Sequence, residues 1–353
     1  MVVAGQRIGF ATARDGVRIA YAVSGRGPVV VVAPHWFSHL ELEWDSPVRR
    51  HWIAALSAGN TVVRYDLRGT GLSDRGVDAQ SLNVWLDDLA AVLDAVGVDQ
   101  CALLGVCQAG PIAVAFAARS PERVRALVLY GTYARCGPLG TRQAAELGVI
   151  DVMVRPQKDL SSSLREVFAR LLLPDAAAEV VAAFVSLQQA SATTSDMARI
   201  TAAHAAVDVT AQATRVTAPA LVLHLRDDVF VPFEQGRILA ALIPGSRFVP
   251  LQGRNHVLLP ENPAFSRLLA EVSEFLGADR RPAADEVPMT ARQREIIDLV
   301  AQGRGNDDIA QRLHLSVRTV ERHLSNIYAR LGVNGRAARA AAAVAAQRHP
   351  DRL

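Results

Sequence analysis

The sequence predicts a doubly wound α/β domain followed by a small all-helical domain, and three observations carry that reading. Through most of the chain, short β-branched runs alternate with longer amphipathic stretches. That is the pattern of a mainly parallel sheet covered by helices. The rhythm stops over residues 133–214, an Ala- and Leu-rich stretch that reads as a helical cap inserted over one end of the sheet. Beyond residue 277 the chain runs through ADRRPAADEVP, whose two prolines and five charges mark a linker at 278–288. Every later signal is helical, and the charge changes sign. Residues 279–353 hold 13 Arg against 9 Asp and Glu, a net of +4; subtraction from totals of 38 and 35 leaves 25 against 26 in residues 1–278, a net of −1.

Each element has a local reason. Residues 8–13 and 18–23 flank an Asp15-Gly16 turn signal and predict a hairpin. Strands follow at 28–33 (PVVVVA), 61–65 (TVVRY), 101–106 (CALLGV), 125–130 (RALVLY), 220–225 (ALVLHL) and 248–251. They are apolar on both faces, as strands buried between two helical layers must be. In residues 82–96, Leu82, Leu86, Leu89 and Leu93 fall on one helical face, and a last helix of this domain is expected at 263–276. In the second domain, Thr290 with Gln293 forms a capping box opening a helix at 292–302. Asn306 or Asp307 caps the next helix. Ser316 caps a third, with Val320, Leu324, Ile327 and Leu331 turned inward and Gly332 ending it. A fourth, Ala-rich helix is expected at 335–347.

Composition excludes several classes. With 50% hydrophobic and 21% charged residues the chain is globular rather than disordered. The three cysteines, Cys101, Cys107 and Cys136, are too few and too odd in number for a disulfide framework. A reduced, cytoplasmic chain is expected. The N-terminus lacks the charged and apolar regions of a signal peptide, and no apolar run approaches the roughly 18 residues of a membrane span. The nine histidines show no metal-ligand spacing, and no glycine pattern cradles a dinucleotide or phosphate. No metal or cofactor is expected.

Strand CALLGV runs through Cys107 straight into a helical stretch. A nucleophile on such a turn is held above the sheet with helix N–H groups behind it, and Gly105, Ala109 and Gly110 are small enough to permit it. Asp227 and Asp228 follow strand 220–225, and His256 follows strand 248–251. Nucleophile, acid, base is the chain order of one familiar triad architecture. In it His256 takes the proton from Cys107 and Asp228, four residues before Pro232, fixes the tautomer of His256; Asp227 is then an exposed neighbour.

With YDLRGTGLSD at 65–74 and SPERVRALVLYG at 120–131, these residues give 6–277 a clear resemblance to the α/β-hydrolase fold. The resemblance implies an oxyanion site at the backbone N–H of Gln108 and at a second N–H near Trp36 or Phe37, in the loop that begins at His35. It also implies a pocket lined by Trp36, Phe37, His39 and Trp44 at the C-terminal ends of the strands. Three positions depart from the pattern. Cys107 replaces the usual serine, as in the dienelactone-hydrolase branch; Ala109 replaces the elbow's last glycine; and Trp36 follows His35 where glycine is usual. The departures leave the pocket able to bind and weigh against efficient ester hydrolysis.

Residues 289–333, MTARQREIIDLVAQGRGNDDIAQRLHLSVRTVERHLSNIYARLGV, closely resemble the LuxR/GerE-type helix-turn-helix. The short His314-Leu315 turn lets the following helix enter a major groove. By similarity Glu321, Arg322 and Ser325 face bases, while Arg318, Thr319, His323 and Asn326 are placed for phosphates. Family members dimerise through the fourth helix, where Ala337, Ala338, Ala341 and Val344 suit close packing, so a homodimer is expected. A net +4 is modest for a DNA partner, and a dimer would double it.

The sequence therefore favours a DNA-binding transcriptional regulator whose first domain senses a small acyl- or ester-like ligand. The alternative is a cysteine-nucleophile ester, lactone or thioester hydrolase with an appended DNA-binding domain. A third reading leaves Cys107 inert and the pocket filled by Trp36.

Overall fold

A computed structural model describes residues 5–35, 37–135, 162–278, 291–330 and 339. The chain divides into two units, residues 1–279 and 280–353. The first contains one eight-stranded sheet in the order β1-β2-β4-β3-β5-β6-β7-β8. Its strands are β1 (Arg7–Thr12), β2 (Arg18–Gly25), β3 (Val29–Val32), β4 (Thr61–Tyr65), β5 (Cys101–Val106), β6 (Val124–Tyr130), β7 (Ala220–Leu225) and β8 (Arg247–Leu251). β1 and β2 form the expected hairpin, and β2 pairs antiparallel with β4; the strands from β4 to β8 are parallel. Every residue of β5 and β7 is buried, which is why both read as unbroken apolar runs.

Around the sheet lie α1 (Leu40–Asp45), α2 (Arg50–Ser57), α3 (Leu82–Val96), α4 (Ala109–Arg119), α9 (Phe233–Leu242) and α10 (Pro263–Ala278), with the insertion's α5–α8 between α4 and α9. In α3 the Ser81 hydroxyl accepts from the Val84 N–H, and Gly97 closes the helix in the left-handed conformation. Its buried face is Trp85, Leu86, Leu89, Val92 and Leu93; Leu82, expected there, sits at the rim.

The insertion contributes α5 (Ser162–Leu172), α6 (Ala178–Ser191), α7 (Thr194–Ala205) and the short α8 (Thr210–Ala213). It is tied down near the strand ends. The Val257 N–H donates to the Leu172 carbonyl at 3.1 Å, and the Asp175 N–H donates to Asn255 Oδ1 at 3.0 Å. Both bonds flank His256, so the insertion's position is fixed next to that residue.

The second unit has α11 (Ala291–Ala301), α12 (Asn306–Leu313) and α13 (Val317–Arg330) around its own core of Ile296, Ile297, Val300, Ile309, Val320, Leu324 and Ile327. Ser316 caps α13 as expected, accepting from the Thr319 N–H at 3.1 Å. One expectation is corrected: the N-cap of α12 is Gly305, with Asn306 already the first helical residue. Extended backbone at Gly305 suffices there because glycine tolerates the cap position. Thr290, the linker, Leu331, Gly332 and the fourth helix with its proposed dimer contacts lie outside the described residues.

Candidate functional site

Cys107 stands between β5 and α4 with φ +52°, a left-handed conformation that a side chain enters only under constraint. The constraint is visible around it. The Cys107 N–H donates to the Tyr130 carbonyl at 3.0 Å, and the Thr132 hydroxyl donates to the Cys107 carbonyl at 2.5 Å. A Cβ added at Gly110 would stand 1.9 Å from Thr132 Oγ1, and one at Gly105 would stand 2.8 Å from Gly110 Cα. Only glycines let strand, turn and helix close this tightly. Gln108 is the N-cap of α4, so its backbone N–H belongs to the unpaired first turn and is available to an oxyanion.

His256 is buried, and its Nδ1–H donates to Asp228 Oδ2 at 2.8 Å. A carboxylate only accepts, so the bond fixes the ring's tautomer. Asp228 Oδ1 in turn accepts from the Phe230 and Val231 N–H groups at 2.9 and 3.0 Å. Asp227 is exposed and points elsewhere than this network, whereas Asp228 is buried in it. Among the described residues the Cys107 sulphur is the group that His256 Nε2 faces, near enough for their charges to interact. Burial opposes a charge on the ring, but Asp228 and Cys107 outweigh it and push its pKa up to about 10. Gly131 makes room for the pair: at φ +56°, a Cβ there would stand 3.0 Å from His256 Cε1. The other described thiol, Cys101, is buried and pushed up to about 12, an inert cysteine by comparison.

These groups open on a cavity with about 450 Å³ of empty space, lined by Cys107, Gln108, His256, His35, Phe37 and Trp52, among others. Phe37 packs edge-on against Phe168 and Phe184 of the insertion, at 5.8 and 6.3 Å between ring centres. Of the aromatic pocket candidates, Phe37 is thus in the wall; His39 and Trp44 line no described cavity, and Trp36 lies outside the described residues. His39 is the N-cap of α1 and Trp44 lies within it. His35 is half-buried at the cavity, and burial, with the positive charges of Arg49, His256 and Arg64, holds its pKa well below the usual histidine range. It presents a neutral imidazole.

Sequence reasoning missed Arg49, Trp52, Tyr130, Phe168 and Phe184, which also line this cavity. Tyr130 could have been found: it ends β6 beside Gly131, and its hydroxyl donates to the His256 carbonyl at 2.9 Å. Nothing local distinguishes Arg49 or the insertion's phenylalanines from ordinary surface and core residues. Among the described residues, no group of three or more His, Cys, Asp or Glu side chains could hold a metal ion.

In the second unit, α12 ends on His314 at φ +52°, and the Leu315 N–H donates back to Ala310 at 2.9 Å. This left-handed residue makes the sharp turn between α12 and α13. On α13, Val320, Leu324 and Ile327 are buried, and Arg318, Glu321, Arg322 and Ser325 are exposed. Thr319 and His323 are half-buried; the Thr319 hydroxyl pairs with that of Ser316 at 2.7 Å. Asn326 lies one turn beyond Arg322 on the same helix. Arg322, Glu321 and Ser325 therefore share one solvent-facing stripe, the geometry a groove-reading helix needs.

Comparison with known proteins agrees with both units. Residues 28–263 match the family described as alpha/beta hydrolase fold. The chain belongs to the alpha/beta hydrolase fold family. Its residues 287–343 match the bacterial regulatory proteins of the luxR family, so a hydrolase-fold domain and a LuxR-type DNA-binding domain occur on one chain. The hydrolase-fold part is 26% identical over 260 residues to a pyrrolizixenacetamide deacetylase of Xenorhabdus hominickii, covering 70% of this chain and 90% of that one. A hydrolase from Pseudomonas aeruginosa superposes with a TM-score of 0.63 at 28% identity, over 77% of this chain and 98% of its own. An esterase from Rhodococcus sp. ECU1013 does so with a TM-score of 0.63 at 26% identity, over 77% and 98%. Among the described residues no helix of this hydrolase-fold protein is long and apolar enough to cross a membrane.

Proposed function

We propose that the protein is a cytoplasmic DNA-binding transcriptional regulator whose hydrolase-fold domain receives a small acyl- or ester-like ligand against Cys107. One observation carries the proposal: a helix-turn-helix with an exposed Arg322–Glu321–Ser325 stripe shares a chain with an aromatic-walled cavity. Regulation follows only if the ligand binds one state of the chain better than another, since equal affinity shifts nothing. A homodimer would double the basic footprint on DNA. The decisive experiment is fluorescence anisotropy with promoter fragments across a salt series. Binding that weakens steeply with salt supports the reading, and no binding even at low salt sinks it.

A second reading, a working cysteine hydrolase, is favoured by the order at Cys107, His256 and Asp228. In that chemistry His256 Nε2 already holds the proton given up by Cys107 while the sulphur adds to the acyl carbon. The oxyanion accepts from the Gln108 N–H, and His256 returns the proton to the leaving oxygen or nitrogen. Water then cleaves the acyl–sulphur bond, again with His256 as base. The deacetylase and esterase relatives make acyl transfer the natural class to test. With p-nitrophenyl esters, a burst followed by turnover that Cys107→Ala abolishes would establish the hydrolase. Stable acylation without turnover favours a sensor that traps its effector.

A further inference from the structure

Adjoining the cavity at Cys107 is another with about 570 Å³ of empty space, and the two share His35, Arg49, Trp52 and Val106 in their walls. Its lining is mostly aliphatic, yet it holds a cluster of charge. Arg64 is fully engaged: it donates to Glu43 Oε2 at 2.7 Å and to Gln6 Oε1 at 2.6 Å. Arg49 is not. Its Nε approaches Glu43 Oε1 only to 4.0 Å, beyond a hydrogen bond, and neither atom has another partner among the described residues. The Tyr65 hydroxyl, in the same wall, is also buried and unpartnered.

The balance of charge points one way. Among the described residues of this cluster, two guanidinium groups face one carboxylate and His35 is held neutral, so positive charge is in excess there. Asp66, which feels the Glu43 charge, accepts from the Leu40 and Leu72 N–H groups and is pushed up to about 7 by burial, so it neutralises the excess only in part. A guanidinium held mostly out of water with its Nε lacking a hydrogen bond is a group that a bound anion can complete. Arginine's planar fork matches a carboxylate in particular. Arg49 is, moreover, close enough to Cys107 to feel charge on its sulphur.

We propose that the ligand of this protein is a carboxylate-bearing acyl compound, its carboxylate held by Arg49 where the two cavities meet while its acyl carbon faces Cys107. The proposal rests on the reading that the cavity at Cys107 receives an acyl-type ligand, and it adds the anionic end. Trp52 and Val106, common to both cavities, form the apolar wall along the chain between the two ends.

Two alkylating reagents of nearly equal size test it on the full-length protein. Iodoacetate carries a carboxylate and iodoacetamide does not; peptide mass mapping reads Cys107 alone. The iodoacetate-to-iodoacetamide rate ratio at Cys107 should exceed that of free cysteine by about tenfold or more, the scale of one charge-assisted hydrogen bond. In Arg49→Met it should fall to the free-cysteine ratio, with Arg49→Lys, which keeps the charge but not the fork, in between. A wild-type ratio at or below that of free cysteine overturns the proposal. So does an equal slowing of both reagents in Arg49→Met, which would mean that Arg49 tunes the sulphur and holds no ligand. Should Cys107 ignore both reagents, the covalent reading of Cys107 fails by itself. The carboxylate site is then decided by thermal shift with hexanoate against hexanamide: a preference for hexanoate that Arg49→Met removes supports it, and no preference overturns it.

Discussion

At the scale of single residues, buried charges decide more than their number suggests. Arg68 is almost wholly buried, and its guanidinium grips both oxygens of Asp88, at 2.5 and 2.7 Å, and reaches Asp15 at 2.6 Å. Asp88→Ala would leave that buried charge with only the exposed carboxylate of Asp15 and should cost about 3–5 kcal/mol in urea denaturation, more than an ordinary surface change. His256 gives a pH prediction with a definite sign. Its folded pKa of about 10 lies above the ordinary 6.5, so the folded chain holds the proton more tightly. The stabilisation is complete below about pH 6.5 and is lost as pH rises through about 10. Thermal melts across that window should show the wild type losing stability faster than His256→Gln; parallel curves would mean that the ring does not hold its proton. The candidate triad was legible at this scale because each member lies in the loop or turn that follows a strand. Arg49 was not, since an arginine one residue before α2 looks like any other until the cavity is drawn around it.

At the scale of elements, the turn between β5 and α4 depends on what is missing from its neighbours. Gly110→Ala would drive a methyl into the Thr132 side chain, and overpacking of this kind typically costs about 1–3 kcal/mol. The same variant should slow labelling of Cys107 by iodoacetamide, because the elbow must shift to admit the methyl; unchanged stability and labelling would refute the close fit. On α13, an apolar inner face and a polar outer face came directly from the period of the sequence. The outer face yields its own expectation. Arg322→Ala should weaken binding to the specific site by about 1–3 kcal/mol per half-site while leaving random DNA little affected. Equal loss on both, measured by anisotropy, would make Arg322 a phosphate contact instead. The cap of α12 was misread by one residue because Asn, Asp and Gly all serve as caps, and only the backbone angles choose between them.

At the scale of the whole molecule, regulation by a ligand of the cavity would require reciprocity between that ligand and DNA. A ligand that changes DNA affinity by some factor must itself bind with affinity changed by the same factor when DNA is present. Titrating the effector with and without operator DNA therefore checks regulation without any cell-based assay, and identical ligand affinities would show the units to be uncoupled. The sequence alone determined the strand order along the chain, the division into two units and the residue types at the elbow, loops and α13. These follow from local periodicity, turn chemistry and charge, which neighbouring residues carry between them. Only the tertiary structure decided that Phe168 and Phe184 wall the cavity, and that Arg49, its Nε beyond hydrogen-bond reach of Glu43, lines two chambers at once. Such contacts join segments far apart in the chain, and burial and missing partners exist only after those segments have packed.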